Sequence, residues 1–159
     1  MKIREAQGFF RSLLIETEKK SHRKTYNIFL GILRSLEEKQ LPEADQFLIE
    51  DELYRLNVAA IPEGKQHTYL SQRLKEFKKF LFDRFGFIAE GHYQEEYMSQ
   101  GMIFGMLGGL IIGAISMPVG LAIGLAIGVG LGQKKDKEVE EQGLVLKTKP
   151  IKGPDFQTN

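Results

Sequence analysis

Three histidines, His22, His67 and His92, are the residues best suited to proton transfer or metal binding at neutral pH. Their spacing supports neither role. No second histidine lies at ligand spacing from any of them, and no HExxH pattern occurs. The chain has no cysteine, so disulfides, thiolate metal sites and cysteine nucleophiles are excluded. Each histidine therefore reads as a solvated or capping side chain, His22 in the basic linker "KKSHRK" (19–24) and His67 beside a helix start. The serines are scattered, and no GxSxG elbow is present. The acidic group "EDE" (50–52) lacks the glycine and alternating ligands of a calcium loop, so it reads as a solvated helix face. "GVGLGQKK" (128–135) imitates a phosphate loop but fails in detail. Gln133 separates Gly132 from Lys134, no Ser or Thr follows the lysines, and no strand precedes. The sequence predicts no catalytic residue, no metal ligand and no cofactor, and the chain is not read as an enzyme.

A second candidate is the run "RLKEFKKFLFDRFGF" (73–87). Arg73, Lys75, Lys78, Lys79 and Arg84 alternate with Phe77, Phe80, Phe82, Phe85 and Phe87. A helix with a basic side and a broad aromatic side suits the surface of an anionic bilayer. The simpler reading places Leu74, Phe77, Leu81 and Phe85 in a bundle core and leaves the cations in water. Phe80 and Phe82 fit no narrow stripe and keep the lipid reading open. Nucleic acid is disfavoured, because Glu76 and Asp83 interrupt the patch and the net charge is only +1.

The strongest pattern is carried by glycine. From Tyr97 to Gln133 the chain has no charged residue, and glycine recurs there at every fourth place. The first run is Gly101, Gly105, Gly109 and Gly113; the second is Gly120, Gly124, Gly128 and Gly132. Glycine costs about 1 kcal/mol against Ala in a water-exposed helix. Residues four apart share one helical face, so each run makes a flat groove. In lipid, close backbone approach at small residues supplies the helix–helix packing that the hydrophobic effect does not. The grooves can meet within one chain or between copies. A single helix over the charge-free stretch would reach about 55 Å, against a hydrocarbon core of about 30 Å. Pro118 offers a break between the runs, giving two arms of about 25 Å. Lys134, Lys135 and Lys137 follow the last glycine and favour a return to the cytosolic side. Tyr93 and Tyr97 stand before the first run, where interfacial aromatics anchor at headgroup depth. The tip, "ISMPVG" (115–120), has little polarity, which leaves a re-entrant hairpin open beside a full crossing.

This segment resembles the glycine-zipper membrane families, small proteins of largely bacterial type with tandem GxxxGxxxG in an apolar hairpin. The eight glycines carry the resemblance, over about a fifth of the chain. It implies tight helix packing and homo-oligomers, and some family members form channels or perturb membranes. It brings no enzymatic residues.

The rest of the chain supplies the elements around this hairpin. Ile3, Ala6, Phe10, Leu13, Leu14 and Thr17 form a helical stripe over 3–20. Tyr26, Phe29, Leu30, Leu33 and Leu36 do so over 24–39, with Gly31 a mild weakness. Pro42 suits the first turn of a third helix, with Phe47, Ile49, Leu53 and Leu56 as its apolar contacts. "NVAAIPEGK" (57–65) is a loop. Tyr69 or Leu70, Leu74, Phe77, Leu81 and Phe85 mark a fourth helix, and Gly86 ends or bends it. No alternation worth a sheet is seen. Early charges (Lys2, Arg4, Glu5) and Arg11 deny a secretory signal core and predict a cytosolic N-terminal part.

The expectation is an all-α chain with three parts. Residues 1–90 form a small cytosolic helical bundle, 91–133 a glycine-zipper transmembrane or re-entrant helical hairpin, and 134–159 a basic, largely flexible tail, in which "GLVLKTK" could add a short contact. The expected partners are the lipid bilayer, further copies through the glycine faces, and a cytosolic protein bound by the bundle, with no nucleic acid. The expected place is the inner (cytoplasmic) membrane, both termini cytoplasmic. Two functions follow from this. One is a pore-forming or membrane-perturbing effector controlled by the bundle. The other is a passive anchor or adaptor that presents it.

Overall fold

The computed structural model describes residues 1–60, 65–112 and 117–148. Ile61–Gly64 of the expected loop, Gly113, the first two residues (115 and 116) of the expected tip, and the tail from Lys149 lie outside the described residues. Among the described residues the chain is all-helical apart from one very short ladder. Its elements are α1 (Ile3–Glu16), α2 (Lys20–Glu38), α3 (Glu43–Arg55), α4 (Gln66–Phe85), β1 (Ile88–Ala89), α5 (His92–Ile112), α6 (Met117–Glu141) and β2 (Val145–Leu146). β1 and β2 pair in a two-stranded sheet that the sequence reading did not include. Contacts divide the chain into two units. One holds Met1–Phe87 with the described residues from Leu146 on; the other is Ile88–Val145.

In the first unit the apolar stripes become the core. Ile3, Ala6, Phe10 and Leu13 of α1 are buried with Tyr26, Phe29, Leu30, Ile32, Leu33 and Leu36 of α2. Ile49 and Leu53 of α3, and Leu70, Leu74, Phe77 and Leu81 of α4, complete it. Phe29 is central: its ring stacks on Phe10 at 4.3 Å and on Phe77 at 6.2 Å, joining α1 and α4 through α2. Such offset-stacked aromatic pairs add about 0.5–1.5 kcal/mol beyond burial.

Both ends of α1 are satisfied by side chains. Ile3 N–H donates to Glu50 Oε1 (3.2 Å), and Lys2 N–H to Glu5 Oε2 (2.9 Å). One of the "EDE" carboxylates thus caps α1. The stretch "KKSHRK" is not a linker but the start of α2. α1 stops at Glu16 instead of running to 20, because Thr17 turns extended. Arg23 Nη1 donates back to the Leu14 and Thr17 carbonyls at 3.0 and 3.2 Å and satisfies that end. Pro42 is the N-cap of α3 and stands just before its first turn. Gly86, at φ +70°, ends α4 in a left-handed conformation that glycine adopts without strain.

Two expectations are corrected. Phe47 is not a core residue: it is 69% exposed. Ile49, Leu53 and Leu56 lie four and three apart, whereas Phe47 precedes Ile49 by two, about 200° around the helix. The tail does not begin at 134. α6 continues through Lys134–Glu141, where Lys135 Nζ and Glu138 Oε2 pair at 2.9 Å across one turn. Beyond it, Leu146 is fully buried and Lys147 is clamped to α2. Ser35 Oγ accepts from Lys147 N–H (2.9 Å) and donates to Lys147 O (3.3 Å).

That strap explains Gly31. A Cβ there would stand 2.7 Å from Lys147 O and 2.8 Å from Thr148 Cα. Helix propensity alone predicts that Gly31→Ala stabilises by about 1 kcal/mol. The close backbone reverses the sign: we expect a net loss of about 1–3 kcal/mol, the usual range for overpacking. A lower thermal midpoint for Gly31→Ala than for the wild type is the check.

Candidate functional site: a glycine-packed helical hairpin

The second unit is a helical hairpin closed at its base by backbone geometry. Gly91 (φ +74°) turns the chain into α5, and Gly143 (φ +70°) turns it out of α6. Ile88 N–H donates to Leu144 O at 3.0 Å, so the hairpin starts and finishes at one place. Asp136 of α6 reaches across to the first turn of α5. Its Oδ1 accepts Tyr93 N–H (3.1 Å) and its Oδ2 accepts Gln94 N–H (3.0 Å). These are orphan donors at the positive end of the helix dipole, where a carboxylate belongs. The sequence reading missed Asp136, whose partners lie more than forty residues away.

α5 and α6 pack antiparallel with their glycines in register. A Cβ on Gly101 would collide with Gly124 O, and one on Gly124 with Gly101 O. Gly105 and Gly120 face each other in the same way, with a Cβ on Gly120 only 2.5 Å from Gly105 O. Gly109 joins this contact, its Cα 3.0 Å from a Cβ on Gly120. Lower down, Gly128 meets the Tyr97 backbone, and a Cβ on Gly132 would lie 2.5 Å from Gln94 Cα and 2.7 Å from Tyr93 O. Each four-residue step up α5 is matched by one down α6. Two other glycines, Gly108 and Gly130, have nothing within 4 Å of an added Cβ. The four-residue repeat thus separates contact glycines from open ones. Pro118 is the second residue of α6, exposed.

Backbone contact along this seam leaves the large side chains on the outside. Ile103, Phe104, Met106 and Leu107 of α5 are exposed, as are Val119, Ile123, Leu125, Ile127 and Leu131 of α6. A contiguous apolar surface of this kind is rare on a monomer in water. At the base, Tyr93 and Tyr97 are half-buried with rings 6.3 Å apart. Lys134 and Lys137 are exposed, and Lys135 is half-buried. Its bond to Glu138 raises the lysine's pKa and lowers the carboxylate's. Among the described residues no helix is long and apolar enough to cross a membrane.

Outside the hairpin the chemistry is sparse. Among the described residues no group of three or more His, Cys, Asp or Glu could hold a metal ion. Two histidines do meet, which their spacing in the sequence could not reveal. His22 of α2 and His67 of α4 stack at 4.9 Å with an interplanar angle of 8°. Ser71 Oγ lies 3.4 Å from both His67 Nε2 and Thr25 Oγ1. Desolvation, then His67 and Lys19, hold the His22 imidazole below the ordinary histidine value. In the basic–aromatic run, Leu74, Phe77 and Leu81 are buried in the bundle; Phe80 and Phe85 are half-buried, and Phe82 is 49% exposed.

Two measurements follow from these geometries. Gly105→Ala and Gly124→Ala should destabilise the hairpin by about 1–3 kcal/mol each, because the facing backbone must move. Gly108→Ala and Gly130→Ala should stabilise by up to about 1 kcal/mol through helix propensity. Hydrogen exchange of α5 and α6 amides separates the two pairs. The second concerns pH. A depressed histidine pKa in the folded state means that the unfolded chain binds more protons there. The His22 contribution to stability is full above about pH 6.5 and is lost as pH falls toward the folded value. The thermal midpoint of His22→Gln should therefore change less than that of the wild type between about pH 7 and pH 5.

No protein-family model matches the chain, and no curated protein or solved structure matches it.

Proposed function

We propose that the chain is a membrane-inserting anchor: the hairpin enters a bilayer from one side and presents the helical bundle at its surface. The observation that carries this reading is the inside-out hairpin. Its seam is glycine backbone, and its exposed surface is Ile, Leu, Val, Met and Phe. That arrangement is unfavourable in water and suits lipid, where backbone packing substitutes for hydrophobic drive. The described apolar arms, 97–112 and 117–133, are each about 25 Å long, shorter than a hydrocarbon core of about 30 Å. A hairpin that dips in and returns fits them better than a helix that crosses. Both ends leave at the Ile88–Leu144 hydrogen bond, which suits insertion from one face. Tyr93, Tyr97, Lys134, Lys135 and Lys137 gather at that end, where aromatic rings and lysines sit at headgroup depth.

Anchoring is favoured over a water-filled pore. Between Gly101 and Gly132 the only polar side chain is Ser116, so an assembly of such hairpins has almost nothing polar to line a channel. The glycine faces are also occupied within the hairpin.

Flotation with anionic vesicles tests the reading. The full chain should float with the vesicles and resist carbonate, while an encapsulated dye stays inside. Ile103→Lys with Ile127→Lys should abolish flotation, since a lysine at the centre of an inserted helix costs about 2.5–3.5 kcal/mol. Wild-type protein left unbound overturns insertion. Dye release with binding intact replaces the anchor by the membrane-perturbing effector.

A further inference from the structure

Charge is unevenly placed on the bundle. α3 carries five acidic residues and one basic, whereas α4 carries five Lys or Arg and two acidic residues. Each turns a stripe to solvent. On α3 the stripe is Glu43, Phe47, Asp51 and Tyr54, all exposed, with Tyr54 at 73%. On α4 it is Gln72, Lys75, Lys79 and Phe82, also exposed. Both follow helical spacing and extend about 15 Å. Glu43, Asp51 and Lys75 make no ion pair among the described residues. Lys79 pairs with Asp83 at 2.5 Å in an exposed contact that water and other partners can exchange. Beside this stripe lies a shallow groove lined by Glu76, Lys79, Phe80, Asp83 and Arg84.

We propose that the acidic aromatic face of α3 in one copy docks on the basic stripe of α4 in a second copy, Glu43 and Asp51 facing Lys75 and Lys79. Charge complementarity selects the occupant. Phe47 stands between Glu43 and Asp51, and Phe82 shares its exposed stripe with Lys75 and Lys79, whereas the neighbouring groove is charge-balanced, Glu76 and Asp83 offsetting Lys79 and Arg84. The two stripes are exposed in the same chain, so they do not meet there. A bilayer does not fit the α3 face, because Glu43, Asp45 and Asp51 beside the aromatics repel anionic headgroups. Aromatic anchors ringed by charge are the usual make-up of a protein contact. The stripes are short, so the association is weak and salt-sensitive, and tethering copies to one surface would strengthen it by raising their effective concentration. The contact is heterologous: each copy offers one face of each kind.

The test uses the full chain in neutral detergent micelles, read by crosslinking and analytical ultracentrifugation, so it does not depend on the hairpin entering a bilayer. Wild-type copies should associate as concentration rises and separate when salt goes from about 0.1 M to about 1 M, where the screening length falls from about 10 Å to about 3 Å. Glu43→Lys with Asp51→Lys should lose association at least tenfold, and so should Lys75→Glu with Lys79→Glu. Mixing the two variants should restore it, since each then meets the opposite charge. Misfolded variants would not recombine, so restoration also certifies the fold. Association that is unchanged in both variants, or a mixture that stays dissociated, overturns the proposal.

Discussion

Backbone contact between α5 and α6 sets what every other residue of the hairpin can do. Where Gly101, Gly105, Gly120 and Gly124 bring the helices so close that a single Cβ would collide, nothing larger fits the seam. Ile103, Phe104, Ile123 and Ile127 are therefore turned outward. In water this is a poor bargain: each glycine gives up helix propensity, and the large side chains gain no burial. A bilayer removes both objections, because hydrocarbon solvates the outer surface and enforces helical hydrogen bonding. The same contact that makes the hairpin unusual in water makes it economical in lipid.

The seam alone does not fix where the hairpin begins. Asp136 does so by accepting two N–H groups of the first turn of α5, and the Ile88–Leu144 hydrogen bond closes the base. Asp136 stands between Lys135 and Lys137 in the sequence, so the charged run beyond the apolar segment does more than mark a boundary. It belongs to a continuing helix, and its Asp136 carboxylate holds the first turn of the partner helix in place. In the first unit, Ser35 and the Gly31 notch hold Lys147 in a comparable way. Each unit is thus locked by a small number of polar bonds between residues far apart in sequence.

That distance explains what could be read from sequence and what could not. Helical stripes are local, so the four bundle helices and most core positions followed from spacing at three and four. Gly86 was legible as a terminus for the same reason. Phe47 shows that apolarity alone does not place a residue: it lies about 200° around the helix from buried Ile49 and faces solvent. The glycine repeat fixed a face but not its partner, since period alone is the same whether the opposite groove lies on the same chain or another. Asp136 with Tyr93 and Gln94, Ser35 with Lys147, and His22 with His67 left no periodic trace. Each joins elements whose approach is decided by packing, not by local pattern.

The occupied glycine seam also changes where specificity between copies can reside. An open GxxxG face offers a geometrically selective contact, because only another flat surface can approach it closely. Once that face is used within the hairpin, the outer surface consists of branched and aromatic residues. Lipid tails contact these about as well as another helix does, so they give little preference for one neighbour over another. Selective recognition then falls to groups that lipid and water do not imitate: placed charges with aromatic anchors on a rigid helix. In this chain those groups lie on α3 and α4, on the bundle and not in the apolar segment. The proposed membrane element and the proposed recognition element are thus built from different physics, one indifferent to sequence beyond size and apolarity, the other dependent on individual carboxylates and ammonium groups.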